Sequence, residues 1–303
     1  MGERLNKLKR GFLYGAAALG IMSSSGFLIN KDYNPAMEEA RQEYIYTHQD
    51  RDGLYDYDNE MIGNLEEILA KYENSTVEIN TFLAYDVQGG IRSGPYMDIF
   101  GGSGLALDNG YILSAAHVIK SEFEEMLNKK WGGVVTSFNI SYFTPIGGVY
   151  YELEPVWTGT EDDFTLLRFK EEPQFSIPSV PFVPGDASKL MEGSITYSFS
   201  ALNEPYAKEG HVLNPLYGDE YGSETREYEY FYEDTAVVPG DSGGPVIAFL
   251  DGEPQVVGVT CMYWYTIDDK GKVDQILGGA ILKINHIMEE TSWILSRPTI
   301  SNP

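Results

Sequence analysis

Short runs of β-favouring residues, separated by turns, recur along the chain from about residue 77. Valine, isoleucine, phenylalanine and tyrosine are frequent in these runs, a pattern typical of strands joined by short loops. The runs cover residues 77–85, 104–113, 134–143, 149–157, 164–169, 194–200, 228–238, 246–250, 256–263 and 277–284. Because no helical pattern separates them, the sequence predicts an all-β barrel or sandwich.

Helical patterns flank these runs. Before the first run, apolar residues recur at the spacing of an amphipathic helix: Met61, Ile62, Leu65, Ile68, Leu69 and Tyr72. After the last run, residues 281–295 predict a closing helix with an apolar face formed by Ile284, Ile287, Met288 and Ile294.

A proline-rich segment divides the β-rich region. Residues 170–186 contain four prolines, namely Pro173, Pro178, Pro181 and Pro184. Such a segment is typical of a stiff connector. The sequence therefore predicts two halves, one on each side of this linker.

Three short motifs carry residues suited to hydrolysis. Residues 114–117 end in His117, residues 163–167 begin with Asp163, and residues 240–245 hold Ser242 between glycines. A serine hydroxyl is a weak nucleophile, so it needs a base to take its proton and a third group to orient that base. Asp162 is adjacent to Asp163, but only Asp163 leads directly into the apolar run.

In this order, the three motifs resemble the active site of trypsin-like (chymotrypsin-fold) serine proteases of the bacterial type without disulfides. The resemblance implies two six-stranded antiparallel β-barrels, to which the apolar spacing described above adds a C-terminal helix and a helical N-terminal extension. It implies that His117 is the base, that Asp163 orients it, and that Ser242 is the nucleophile. The active site would lie in the cleft between the barrels.

Residues 240–244 also satisfy the Gly-x-Ser-x-Gly nucleophile elbow of α/β-hydrolases. In that fold the acid and the histidine follow the serine. Here only His286 follows Ser242, and only 61 residues remain after the serine. This alternative is therefore disfavoured, and so is a simple glycine-rich turn.

The glycines around Ser242 allow a sharp turn that aims the amides of Gly240 and Ser242 at one point, as in an oxyanion hole. The resemblance places the substrate pocket at Ala236, Thr260 and Met262. Trypsin has an aspartate where this chain has Ala236, so the sequence favours an apolar or small side chain before the cleaved bond. The same three residues would also fit ordinary strand packing.

Cys261 is the single cysteine, so no disulfide can form within the chain. Its apolar strand setting predicts a buried, unreactive residue.

The N-terminus combines basic residues with a short apolar stretch and then small residues. This pattern predicts that residues 1–29 are a signal peptide or a membrane anchor, with a secreted or extracytoplasmic location. Residues 30–76 form an acidic extension or pro-segment, and residues 77–303 form the protease domain. Within that domain, barrel 1 covers about 77–169, the linker 170–186, and barrel 2 with the closing helix 187–303.

Charge limits the partners. The formal net charge is −25, which disfavours nucleic acid as a partner. An acidic stretch resembles a calcium loop through Asp50, Asp52 and Asp56, although His48 stands where the first carboxylate is expected. A solvated acidic loop is the alternative, and no other metal or cofactor is expected.

The sequence thus predicts an exported serine endopeptidase that acts on protein or peptide substrates through an acyl-enzyme. The alternative is a catalytically silent or latent binding protein on the same scaffold. The oligomeric state is not defined by the sequence.

Overall fold

The computed structural model describes Tyr55 and residues 62–89, 94–119, 134–159, 163–173, 176–201, 205–217, 230–267 and 273–295. The predicted signal or anchor segment and the acidic calcium candidates Asp50, Asp52 and Asp56 lie outside these residues. None of the helices in the described part of the chain has the length and apolar character of a membrane span.

Six antiparallel strands close into a first barrel. They are β1 (Thr76–Gln88), β2 (Gly94–Ala106), β3 (Tyr111–Ser114), β4 (Val134–Ile146), β5 (Val149–Thr158) and β6 (Thr165–Phe169). Around the barrel their order is β1-β2-β3-β6-β5-β4. Alternating side chains of these strands fill the interior, among them Ile79, Leu105, Ile112, Leu153 and Leu166.

A second set of six antiparallel strands closes into a second barrel. They are β7 (Ile195–Ser200), β8 (Tyr206–Tyr217), β9 (Tyr230–Glu233), β10 (Pro245–Leu250), β11 (Glu253–Ile267) and β12 (Val273–Lys283). Their order is β10-β11-β12-β9-β8-β7. The predicted all-β class with two six-stranded antiparallel barrels is confirmed.

The proline-rich connector is hydrogen-bonded to both barrels. Val180 accepts from the amide of Asp108 at 3.0 Å and donates to Ala106 at 3.2 Å, on the first-barrel side. Val183 accepts from the amide of Val256 at 2.9 Å, on the second-barrel side. Within the described residues 176–186, the connector therefore runs from the first barrel to the second.

Helix α1 (Leu65–Ser75) lies where the amphipathic pattern predicted a helix, and its Tyr72 is buried. The short helix α2 (Ala116–Ile119) follows β3, and α3 (Ile284–Leu295) closes the chain. The closing helix begins three residues later than predicted, because Ile281, Leu282 and Lys283 pair within β12.

Strand β8 was not predicted from the sequence. Its apolar residues are interrupted by Lys208, Glu209, Gly210 and Pro215, so the alternation that marks a strand is broken. It forms because β7 and β9 pair with it on either side, from Ile195↔His211 to Tyr217↔Tyr230. Tertiary pairing here overrides a weak local pattern.

Candidate active site

His117 and Asp163 are brought together by the pairing of two strands. His117 lies in α2, just after β3, and Asp163 lies just before β6. Strands β3 and β6 are antiparallel neighbours with Ser114 opposite Thr165, so the residues beyond these ends meet at the same edge of the barrel. This pairing explains how residues 46 positions apart share one site.

The carboxylate of Asp163 holds His117 at two points. Its Oδ2 lies 2.6 Å from the ring Nδ1, and its Oδ1 accepts from the backbone amide of His117 at 2.8 Å. Both side chains are largely buried, with 8% and 10% of their surface exposed. A carboxylate only accepts, so in the neutral imidazole the proton sits on Nδ1 and the lone pair on Nε2.

The Nε2 atom of His117 is buried and has no hydrogen-bond partner in the described part of the molecule. No hydrogen bond therefore joins it to the hydroxyl of Ser242 in this conformation. In proteins without substrate such a bond is often long, and it tightens when substrate binds.

The loop that carries Ser242 packs against the segment leading to His117. The carbonyl of Ser242 accepts from the amide of Ser103 at 2.7 Å, and the amide of Gly243 donates to Thr260 at 2.7 Å. A Cβ on Gly243 would lie 2.1 Å from the carbonyl oxygen of Ser103 and 3.0 Å from the amide nitrogen of Ala115, two residues before His117. This close approach requires glycine next to Ser242, which is half-buried.

The amides of Gly240 and Ser242 have no backbone acceptor within the described residues. By contrast, the amides on either side of Ser242 are paired: Asp241 donates to Val238 at 3.0 Å and Gly243 to Thr260 at 2.7 Å. The hydroxyl of Ser103 donates to the carbonyl of Gly240 at 2.7 Å and fixes that peptide. Within the part of the chain that the structure describes, the two predicted oxyanion donors therefore differ from the neighbouring amides in having no backbone acceptor.

Cys261 contacts the site from the second barrel. Its thiol donates to the carbonyl of Asp163 at 3.4 Å and is fully buried. Burial, reinforced by the nearby Asp163 charge, raises the pKa of the Cys261 thiol well above its ordinary value. The cysteine is therefore a protonated packing residue that helps seat the acid.

The three predicted pocket residues differ in their exposure. Ala236 is exposed and Met262 is half-buried, whereas Thr260 is buried in β11 with 1% of its surface exposed. The backbone of Thr260 instead pairs with the glycines that follow Ser242. Solvent can thus reach the side chains of Ala236 and Met262, whereas the Thr260 side chain is almost completely enclosed.

A buried acid near the pocket segment was not predicted. Glu233 ends β9, is inaccessible to solvent, and accepts from the hydroxyls of Thr196 and Ser198. A Cβ added to Gly279 would lie 3.5 Å from the Oε1 of Glu233, and it would also meet the side chain of Val237. Burial raises the pKa of Glu233 to about 7, although the hydroxyl donors oppose the shift.

Three supporting residues of the site were also missed from the sequence. They are Ser103, which binds the Ser242 loop, and Tyr206 and Lys208, which bind Asp241. A signal existed only for Ser103, since the run Gly101–Gly104 of small residues is unusual inside a strand. No group of three or more histidine, cysteine or acidic side chains suited to a metal occurs among the residues for which the structure gives positions.

A model of the trypsin-like peptidase domain matches residues 102–259, which is more than half of the chain. The chain belongs to the trypsin-like peptidase domain family. The matched region includes His117, Asp163 and Ser242. The predicted relationship to trypsin-like serine proteases is confirmed, and a single free cysteine is consistent with a disulfide-free member.

Solved structures of an HtrA-type protease, AlgW, share the fold of this trypsin-like chain. The structure with a tripeptide is 14% identical, has a TM-score of 0.50, and is matched over 77% of this chain and 64% of that chain. A substituted form with a decapeptide is 13% identical, has a TM-score of 0.54, and is matched over 77% and 67%. This chain therefore spans about two thirds of the length of those proteases. None of the curated proteins matches the sequence significantly.

Proposed function

We propose that this trypsin-like chain is a serine endopeptidase in which Ser242 is the nucleophile, His117 the general base and Asp163 the orienting acid. The observation that carries the proposal is the pairing of His117 Nδ1 with Asp163 at 2.6 Å, which leaves Nε2 without a partner beside the Ser242 loop. That arrangement is the one a serine needs to lose its proton at neutral pH.

The reaction proceeds in two halves. Ser242 Oγ attacks the carbonyl carbon of the substrate while Nε2 of His117 takes the hydroxyl proton, and the carbonyl electrons move to the oxygen. The resulting imidazolium then gives its proton to the leaving amine as the C–N bond breaks, which leaves an acyl-enzyme. A water molecule repeats the attack with the same base, and the acid product leaves with Ser242 restored.

The developing oxyanion is bound by the amides of Gly240 and Ser242. Each such donor contributes on the order of 3 kcal/mol to transition-state stabilisation in related chemistry. The second barrel supplies these donors and the first supplies His117 and Asp163, so catalysis depends on the barrels keeping their relative position. The connector and Ser103, which binds Gly240, both support that position.

The proposed substrates are proteins or peptides with an apolar or small residue before the cleaved bond, since Ala236 is uncharged and accessible. We propose further that the protein is exported. The basic residues followed by an apolar stretch within residues 1–29 support a signal peptide or anchor. The proposed domain limits remain those given by the sequence, with the protease domain at 77–303.

A fluorophosphonate probe, which reacts with activated serines, tests the proposal. The full-length protein is expected to be labelled and to cleave a peptide library, and Ser242→Ala is expected to abolish both. Ser137→Ala serves as the matched control, because Ser137 is exposed on β4 in the first barrel and its hydroxyl donates to Asp86 at 3.0 Å. A pure, folded protein that neither reacts with the probe nor cleaves any peptide would overturn the proposal and favour a silent binding protein.

A further inference from the structure

The residue before Ser242 carries a buried carboxylate that three donors hold. Asp241 has 7% of its side chain exposed. Its Oδ1 accepts from the hydroxyl of Tyr206 at 2.6 Å, and its Oδ2 accepts from Lys208 Nζ at 2.6 Å and from the amide of Val238 at 2.8 Å. Ionised carboxylates are buried in proteins only when paired in this manner.

Lys208 also binds the other end of the same loop. Its ammonium group donates to the carbonyl of Ala236 at 2.7 Å, as well as to Asp241. The group thus bridges the first and last residues of the 236–241 loop, which contains Gly240. No other cationic side chain in the described ranges lies within ion-pair distance of Asp241.

The direction of the Gly240 and Ser242 amides depends on this loop. Asp241 lies between the two residues, so a rotation of its backbone changes the direction of the Ser242 amide relative to the Gly240 amide. If Lys208 were lost, Asp241 would keep a buried charge without its cation, and moving toward water would relieve that cost. Such a movement would take the amides away from the position of the substrate oxygen.

Helix α1 fixes the strand that carries Lys208. Glu73 Oε1 accepts from the backbone amide of Ala207 at 3.0 Å, and Ala207 lies between Tyr206 and Lys208 in β8. Nearby, the Tyr72 ring lies 5.7 Å from the Phe199 ring, and Phe199 is the β7 partner of Ala207. The N-terminal helix is therefore connected to the catalytic loop through two successive contacts.

We propose that Lys208 is a positioning residue for peptide-bond hydrolysis, acting through Asp241, and that Glu73 of helix α1 holds it in place. The inference rests on the proposed serine peptidase function. The proposal gives helix α1 a supporting role in catalysis. The cation that orders the oxyanion donors is then Lys208, a side chain of the second barrel.

Peptide hydrolysis by full-length variants tests the proposal. Lys208→Met is expected to lower kcat by about 100-fold, comparable to the loss of one oxyanion donor, with KM changed by less than about threefold. Lys208→Arg keeps the cation and is expected to recover at least about tenfold of that loss. Glu73→Ala removes the acceptor of the Ala207 amide and is expected to lower kcat by about tenfold. Lys189→Met, at an exposed lysine on the 3-10 helix Ala187–Lys189, is the matched control and should match wild type.

A peptide aldehyde gives an independent readout, because its hemiacetal oxygen occupies the oxyanion position. Its affinity should fall by the same factor as kcat in Lys208→Met, since a transition-state interaction is lost. If Lys208→Met does not fold, Tyr206→Phe removes one donor to Asp241 and should lower kcat by about tenfold. Unchanged kcat in the folded Lys208 or Tyr206 variant, or equal losses in Met and Arg variants, would overturn the inference while leaving the peptidase intact. An inactive wild-type protein would instead refute the proposed function, and this inference with it.

Discussion

Replacing Glu233 with glutamine should stabilise the protein above pH 7 and have little effect near pH 4. Glu233 has no exposed surface, and it accepts hydrogen bonds from Thr196 Oγ1 at 2.9 Å and from Ser198. Glutamine has nearly the same shape and keeps one acceptor, and a serine or threonine hydroxyl can rotate to accept from its amide. The substitution therefore removes the ionisation with little change in packing.

The size of the effect follows from the pKa of Glu233. Burial raises it from 4.5 to about 7, and the negative charge of the neighbouring Asp234 adds to the increase. The folded protein thus holds this proton more tightly than the unfolded chain does. The stabilisation that the folded protein gains from holding the Glu233 proton is fully present below about pH 4.5, and it is lost as the pH rises through about 7. At 1.36 kcal/mol per pH unit, the difference amounts to about 3 kcal/mol.

Urea unfolding between about pH 4 and pH 8.5 measures this effect. The difference in unfolding free energy between Glu233→Gln and wild type should be near zero at the acidic end and reach about 3 kcal/mol in favour of the variant at the alkaline end. Glu253→Gln, at an exposed carboxylate of the same barrel, should follow wild type throughout. A difference that does not change with pH would refute the reasoning, as would a variant less stable than wild type at pH 8.

Three further substitutions test the site and the connector. Asp163→Asn should lower kcat by about 10⁴ because an amide cannot hold His117 in the required tautomer, and undiminished hydrolysis would contradict the assigned role. Gly243→Ala should cost about 3 kcal/mol or more in urea unfolding, from positive φ and a clash with backbone, whereas Gly110→Ala, at φ 86 in open space, should cost only about 1 kcal/mol. Tyr55→Phe should cost about 1 to 2 kcal/mol in the same assay, because the Tyr55 hydroxyl binds Gln255 and the amide of Asp186; an unchanged midpoint would show that these bonds are dispensable.

The barrels could be predicted from the sequence where strands alternate strongly and turns are marked. Strand β3 and its turn at 108–110 followed from local pattern, and so did the apolar run of β10 after Pro245. The closing of each barrel could not be derived from spacing alone, since the pattern also fitted a sandwich. It came from the resemblance carried by the three motifs, and the structure then gave the strand order.

The residues of the candidate triad could be named in advance because each stands in a short motif whose chemistry requires its neighbours. Gly243 is an example: at φ 85 and with Ser103 and Ser114 against it, no other residue fits. The pocket was harder to predict. Thr260 lies between Val259 and Cys261, which are both buried as well, and only the structure shows that its own side chain is closed to solvent.

Two supporting residues of the oxyanion loop, Tyr206 and Lys208, could not be predicted, because they stand in β8, whose apolar pattern is broken. Lys208 and Glu209 look like a solvated pair in a loop, since charges beside Gly210 ordinarily indicate exposure. The pairing of β8 with β7 and β9 turns Lys208 toward Asp241, 33 positions further along the chain. The positive charge of Lys208 breaks the apolar pattern of β8 in the sequence. In the structure, the same charge pairs with the buried carboxylate of Asp241. A charged interruption of the apolar pattern can therefore mark a supporting ion pair as well as a loop.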